Sequence, residues 1–183
     1  MPALLALAHR RRLRAVGPRA LRPMRPSAAS LREAALVAAV VVVDRLTKVW
    51  AQSWLEPRGE VAVAPFFHLT YVENTGAAWG MFAGRNGALV GVSLVLLAGL
   101  LWARRSWPED NRWARWGAML VVGGALGNLH DRLSLGAVVD FLDFRVWPVF
   151  NVADSCISVG ACALAWGLHL EDKRALKNAP TPP

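Results

Sequence analysis

The sequence predicts an α-helical membrane protein, a four-transmembrane-helix bundle with a small extracytoplasmic β-sheet between the first and second helices. Three observations carry that expectation. Of 183 residues, 55% are hydrophobic and only 19% charged, and the apolar ones come in long blocks instead of at amphipathic spacing. Trp50, Trp54, Trp102, Trp107, Trp113 and Trp147 fall near the ends of those blocks, where a membrane interface favours the indole. The Lys and Arg residues also gather at segment ends. The net charge of +8 is therefore not the one-sided basic face of a nucleic-acid binder, and no nucleic-acid partner is expected.

Residues 1–30 hold seven arginines among Pro, Ala and Ser, with no acidic residue and no apolar period, and read as a disordered basic tail retained in the mature chain. Residues 31–172 make the membrane domain. Its first helix, about 32–54, contains Asp44, Arg45 and Lys48; the second, about 87–103, runs seventeen residues without an ionisable group. The third, about 113–131, stops at Asp131-Arg132, and the fourth, about 152–170, carries Asp154 near its start. Between the first two helices, the outer region at about 57–82 is rich in β-branched and aromatic residues between Pro57 and Gly76, which predicts strands. Residues 173–183 form a second tail.

Lys and Arg counts orient the bundle. Eight precede residue 33, four (Arg104, Arg105, Arg112 and Arg115) lie between the second and third helices, and Lys173, Arg174 and Lys177 follow the fourth. The loops at 55–86 and 133–150 hold two and one. Both termini are thus expected in the cytoplasm and both long loops outside.

Ionisable groups in or at the rim of spanning helices are functional candidates, because burying them is costly. Asp44 and Lys48, four apart, can neutralise each other on one helix face. Asn128 and Asp131 share a face of the third helix, and Asn151 and Asp154 a face of the fourth. By this topology Asp131, Asp140, Asn151 and Asp154 reach one depth at the outer boundary. Two carboxylates held close cannot both ionise, so identical side chains can supply a base and an acid. An aspartyl hydrolase, a proton or ion relay, and polar helix-packing contacts all remain open on this reading. His68 and His130 stand alone, so no metal site is expected, and Ser155 lacks a His base. Cys156 and Cys162 read as small core residues.

Five blocks in order resemble the lipoprotein signal peptidase, or signal peptidase II, family of bacterial aspartyl peptidases. They are Asp44-Arg45-Leu46-Thr47-Lys48, Glu73-Asn74-Thr75-Gly76-Ala77-Ala78-Trp79-Gly80, GGALGNLHDR at 123–132, Val138-Val139-Asp140-Phe141, and Phe150-Asn151-Val152-Ala153-Asp154-Ser155. His130, Arg45 and Trp79 depart from the common pattern, and residues 1–30 fall outside it. The resemblance implies Asp140 and Asp154 as the catalytic pair, a choice that spacing alone leaves open because Asp131 would serve equally well. It further implies that Asp131 and Asn128 support the pair, that Asn151 orients it, that Asp44 and Lys48 match a family pair, and that Asn74 and Arg132 hold substrate backbone.

The implied substrate is a prolipoprotein whose cysteine carries a diacylglyceryl thioether, cut just before that cysteine at the outer face of the bacterial inner membrane. Water is the nucleophile, so no cofactor is expected. Membrane lipids and globomycin-type peptide inhibitors are the other implied partners, with the chain acting as a monomer. A four-helix transporter or proton relay is the alternative, but its acids should be spread through the membrane depth, whereas here they cluster at one side.

The charge count makes the orientation testable. Cysteines introduced at Gly59 or Ser134 are expected to react with a membrane-impermeant thiol reagent applied from outside, and reporters fused after residues 30 and 178 to read as cytoplasmic. Labelling at either cysteine only after permeabilisation would invert the topology.

Overall fold

The computed structural model describes residues 28–77, 81–108 and 110–178; most of the basic tail, and Ala78-Trp79-Gly80 of the second motif, lie outside these. Among the described residues, four α-helices and three strands follow in the order α1 (Ala28–Trp50), β1 (Glu60–Ala64), β2 (Phe67–Asn74), α2 (Asn86–Ala103), α3 (Arg112–Ser134), β3 (Val138–Asp143) and α4 (Val152–Asn178).

The helix α3 lies at the centre and packs against α1, α2 and α4. Ala118, Met119, Val122 and Leu129 of α3 meet Leu97 of α2 in one buried cluster. Against α4 the contact is made by glycines, because a Cβ on Gly117 would lie 2.5 Å from the Leu164 nitrogen and 2.6 Å from the Gly160 carbonyl oxygen. Small residues let helix backbones approach where lipid offers no competing hydrophobic drive.

Outward surfaces are as apolar as the core. On α2, Leu97 is the buried residue, while Val95 is 72% and Trp102 70% exposed. The segments Asn86–Ser106 and Val152–Lys177 are long and apolar enough to cross a bilayer. The other two helices bury several of their charges, among them Asp44 and Lys48 on α1 and Asp131 on α3. Cys162 is exposed and Cys156 half-buried, contrary to the core positions expected of them; α4 is apolar on its outward surface too, so a small apolar side chain there has no need to face inward.

Several boundaries differ from expectation. After Trp50 the chain widens into a π-turn over Ala51–Leu55 and a short 3-10 turn over Glu56–Arg58. The wider turn lets Ala51 and Leu55 pack, fully buried, against Val139 and Phe141. The helix α3 passes Asp131-Arg132 to Ser134, since both side chains find lateral partners, and the chain then turns at Gly136 with φ +80°. The helix α4 runs through residues 171–178, anchored by Asn111 donating to Glu171 at 3.3 Å and Arg174 to Asp110 at 3.4 Å.

The sheet is antiparallel in the order β1-β2-β3. Its third strand comes from the connection between α3 and α4, a stretch expected to be loop. Pairing sets Val72 opposite Asp140 and Asn74 opposite Val138, with an irregularity between Leu69 and Val72. One catalytic candidate therefore sits on a strand beside the helical bundle.

The glycine seam yields a stability expectation. Gly117→Ala is expected to destabilise the protein by about 1–3 kcal/mol through overpacking against α4, seen as a lower detergent melting temperature. Gly99→Ala, whose new methyl would meet open space, is the control and should melt as the parent does.

Candidate functional site

The site begins with a buried lysine. Lys48 is fully buried, and its Nζ lies 2.9 Å from Asp44 Oδ2 and 2.9 Å from Asp131 Oδ2. It also donates to Asn128 Oδ1 at 2.8 Å. The expected i,i+4 pair is thus one edge of a network spanning α1 and α3. Arg45 adds a second cation, 2.5 Å from Asp131 Oδ1, a role its sequence context did not suggest. The other Asp44 oxygen accepts the Ala153 backbone N–H at 3.0 Å, near the start of α4. A side chain on Gly127 would collide with the Asp44 carboxylate, so the glycine makes this approach possible.

Two asparagines carry the network to the remaining carboxylates. Asn128 Nδ2 donates to Asp154 Oδ1 at 2.8 Å, so the amide whose oxygen receives Lys48 holds Asp154 with its nitrogen. Asn151 Nδ2 donates to Asp140 Oδ1 at 2.7 Å, with Asn128 Oδ1 at 3.1 Å and the Val139 carbonyl at 3.2 Å also in reach. The Asn151 Oδ1 accepts the Asp154 backbone N–H at 2.9 Å, and Asp154 Oδ2 receives the Asn151 N–H at 3.3 Å. These reciprocal bonds cap α4 and fix Asp154 at its first turn.

Asp140 is 2% exposed. Its second oxygen accepts Asn74 Nδ2 at 3.0 Å, across from β2. Burial first, then the neighbouring Asp154 charge, pushes its carboxyl up to about 7. Asn74 Oδ1 receives the Gly76 N–H at 2.9 Å, and Arg132 donates to the Gly76 carbonyl at 3.0 Å. Asn74 and Arg132 thus hold the 74–77 turn over the pair; here Asn74 touches a carboxylate directly, a contact the sequence did not suggest.

Asp131 and Asp140, equivalent by spacing, have different surroundings. Asp131 is fully buried between Arg45 and Lys48 and receives the Val139 N–H at 3.3 Å. Asp140 and Asp154 instead line one cavity of about 210 Å³ with Asn74, Asn128 and Arg132. Asn128, Arg132 and Asp154 also line an apolar groove of about 920 Å³ between α2, α3 and α4. The arrangement brings two carboxylates, one of them readily protonated at neutral pH, to the end of a hydrocarbon-lined channel. Among the described residues no His, Cys, Asp and Glu cluster has the geometry of a metal site.

Residues 36–170 match the family described as signal peptidase (SPase) II. The lipoprotein signal peptidase of Moorella thermoacetica is 46% identical over 132 residues, 72% of this chain and 88% of that protein. That of Pelotomaculum thermopropionicum is 44% identical over 144 residues, 78% of this chain and 94% of that protein. A solved structure described as a bacterial membrane enzyme superposes with a TM-score of 0.73 at 28% identity, covering 82% of this chain and 94% of that one.

The raised Asp140 carboxyl has a stability consequence. Unfolded, the group ionises near the ordinary aspartate value of 3.8, but folded it holds its proton to about 7. Between those values the native state binds more protons, so stability falls as pH rises and levels off above about 7. Asp140→Asn removes this cost: the variant is expected to exceed the parent in stability by on the order of 4 kcal/mol near pH 8 and to match it near pH 4. Equal melting temperatures at both pH values would show that Asp140 ionises freely.

Proposed function

Because the chain belongs to the signal peptidase II family, aspartic endopeptidases that remove signal peptides from prolipoproteins, we propose that it cleaves diacylglyceryl-modified prolipoproteins just before the lipidated cysteine, with Asp140 and Asp154 as its catalytic pair. The observation that carries this reading is the shared cavity: both carboxylates border it, and it joins an apolar groove at Asn128, Arg132 and Asp154. A lipidated substrate stays in the bilayer, so its hydrocarbon can lie in the groove while the scissile amide meets the polar end.

Charge pairing supports one assignment of the two roles. The cations Arg45 and Lys48 pair with Asp131 and Asp44, and of the two cavity carboxylates Asp154 acts on the Arg132 charge more strongly than Asp140. Asp140 is the carboxylate left over, bonded by neutral amides. It keeps the proton and acts as the acid, and Asp154 is the base. Asp154 takes a proton from water as the water oxygen attacks the amide carbon, and Asp140 gives its proton to the carbonyl oxygen. In the tetrahedral gem-diol that results, Asp154 passes its proton to the leaving nitrogen while Asp140 recovers one from a diol hydroxyl. The C–N bond then breaks, and both carboxyls return to their starting states.

The supporting residues keep this pair in place. Asn151 and Asn128 orient the carboxylates, Asp44, Lys48 and Asp131 anchor the asparagines, and Asn74 and Arg132 shape the turn against which the substrate backbone lies. All four helices span the bacterial inner membrane as a monomer, termini inside and sheet outside. The inward-facing charges of α1 and α3 are compatible with spanning, because buried polar groups there are paired. A globomycin-type peptide would occupy the same cavity.

Incubating the purified protein with a synthetic diacylglyceryl-modified prolipoprotein peptide tests the reading, with cleavage expected before the lipidated cysteine and none in the unmodified peptide. Asp140→Asn and Asp154→Asn are each expected to lower turnover by at least about 10²–10⁴-fold while remaining folded, since an amide neither takes nor gives the proton. Substantial turnover by either folded variant removes that residue from the pair. Asn74→Ala and Arg132→Ala should weaken substrate and inhibitor binding by about 1–3 kcal/mol. Full activity and full inhibitor affinity in Asn74→Ala would make the turn a scaffold only.

A further inference from the structure

The far end of the bundle holds a second cluster of charge that the peptidase chemistry does not use. Glu33 lies three turns before Asp44 on α1, and Arg115 more than three turns before Asn128 on α3, so the cluster sits on the order of 15–20 Å from the catalytic network. Glu33 is 5% exposed and accepts Arg115 Nε at 2.7 Å, and its other oxygen pairs with Arg104 at the end of α2. One buried carboxylate thereby ties three helices together. Arg115 is itself 8% exposed.

Beside this tie opens a pocket of about 270 Å³ lined by Arg32, Glu33, Arg112, Arg115 and Trp116. Among the described residues its positive charge is unbalanced. Glu33 is already shared by two arginines, and Arg32 and Arg112 are exposed with no hydrogen-bond or ion-pair partner among the described residues. Of the described acids at this end, Asp110 is engaged by Arg174 and Glu171 by Asn111; Glu109 lies outside the described residues. Residues 1–27, which precede the pocket, contain no acidic residue. Trp116 of the lining and the chain neighbours Leu31 and Trp113 are each more than half exposed, and exposed indoles of this kind suit a membrane interface.

We propose that this pocket binds the phosphate of an anionic glycerophospholipid in the membrane leaflet opposite the catalytic pair. The guanidiniums of Arg32 and Arg112 present planar donors to phosphate oxygens, and Arg115 supplies a fixed positive floor because Glu33 holds its orientation. The indoles of Trp113 and Trp116 lie at glycerol depth, and the acyl chains run down the exposed apolar surface of the helices. A basic pocket between helices on the side rich in Lys and Arg is the kind of site that selects such headgroups.

The experiment uses the full chain in phosphatidylcholine nanodiscs, with phosphatidylglycerol added, and reads bound lipid by native mass spectrometry alongside the melting temperature. Phosphatidylglycerol is expected to be retained over phosphatidylcholine and to raise the melting temperature. The double variant Arg32→Gln/Arg112→Gln, which leaves the Glu33 tie intact, should lose retention on the order of tenfold to thirtyfold. It should melt like the parent in phosphatidylcholine alone. Equal phosphatidylglycerol retention by variant and parent overturns the proposal, as does equal retention of the two lipids by the parent. Inorganic phosphate provides the other arm: stabilisation as large as that from phosphatidylglycerol would assign the pocket to a free anion and overturn the lipid assignment.

Discussion

A lysine ammonium with no access to water is the constraint on which the rest of this molecule depends. An isolated charge in such a place is prohibitive, and burying it is tolerable only if every proton finds an acceptor. Lys48 is compensated by donating to Asn128 and by close ion-pair contact with Asp44 and Asp131. Each partner then inherits a constraint of its own. Asp131 needs Arg45 as well, Asp44 needs the Ala153 N–H and the bare backbone of Gly127, and Asn128 is left with its amide nitrogen aimed at Asp154. The positions of α1, α3 and the start of α4 follow from satisfying one cation.

That chain of obligations also explains why the two carboxylates of the cavity differ. Asp154 is tied through one asparagine to the lysine, so its charge is offset across a single amide. Asp140 enters on a strand, is bonded by Asn74 and Asn151, and has no cation of its own. An asymmetric pair is what acid and base catalysis by like groups requires. The asymmetry comes from where the chain enters the site, helix for one residue and strand for the other, and the side chains themselves are identical.

Much of this was legible in the residues and some of it was not. The apolar blocks, their Trp borders and the polar residues at one depth are consequences of hydrophobicity and period, which are local. Asn128 and Asp131, or Asn151 and Asp154, could be placed on common faces because a helix fixes which residues are neighbours. What spacing could not separate was Asp131 from Asp140, since their difference lies in Arg45 and Lys48, more than eighty residues away in the chain. Family resemblance made that choice. The strand β3 escaped notice because Val138–Asp143 is six residues with no exposed face to alternate, four of its first five being buried; its β character depends on pairing with β2, sixty-odd residues earlier. The end of α3 was misjudged for a related reason: Asp131 and Arg132 look like a boundary in isolation, and only their lateral partners make them part of a helix.

The opposite ends of the bundle solve the problem of buried charge in two different ways, and the difference separates scaffold from site. Around Glu33 a single carboxylate is surrounded by arginines, which cannot give up their protons, so the contact works only as a tie and leaves positive charge over. Around Lys48 carboxylates outnumber the nearby cations by one, and the excess is a group that can be neutralised by taking up a proton. An excess of arginine can be balanced only by an anion from outside the chain. An excess of aspartate is balanced by hydrogen ion, and a proton held for that reason is available for transfer. Polar burial of similar extent therefore leaves a fixed charge at one end of the helices and a titratable one at the other.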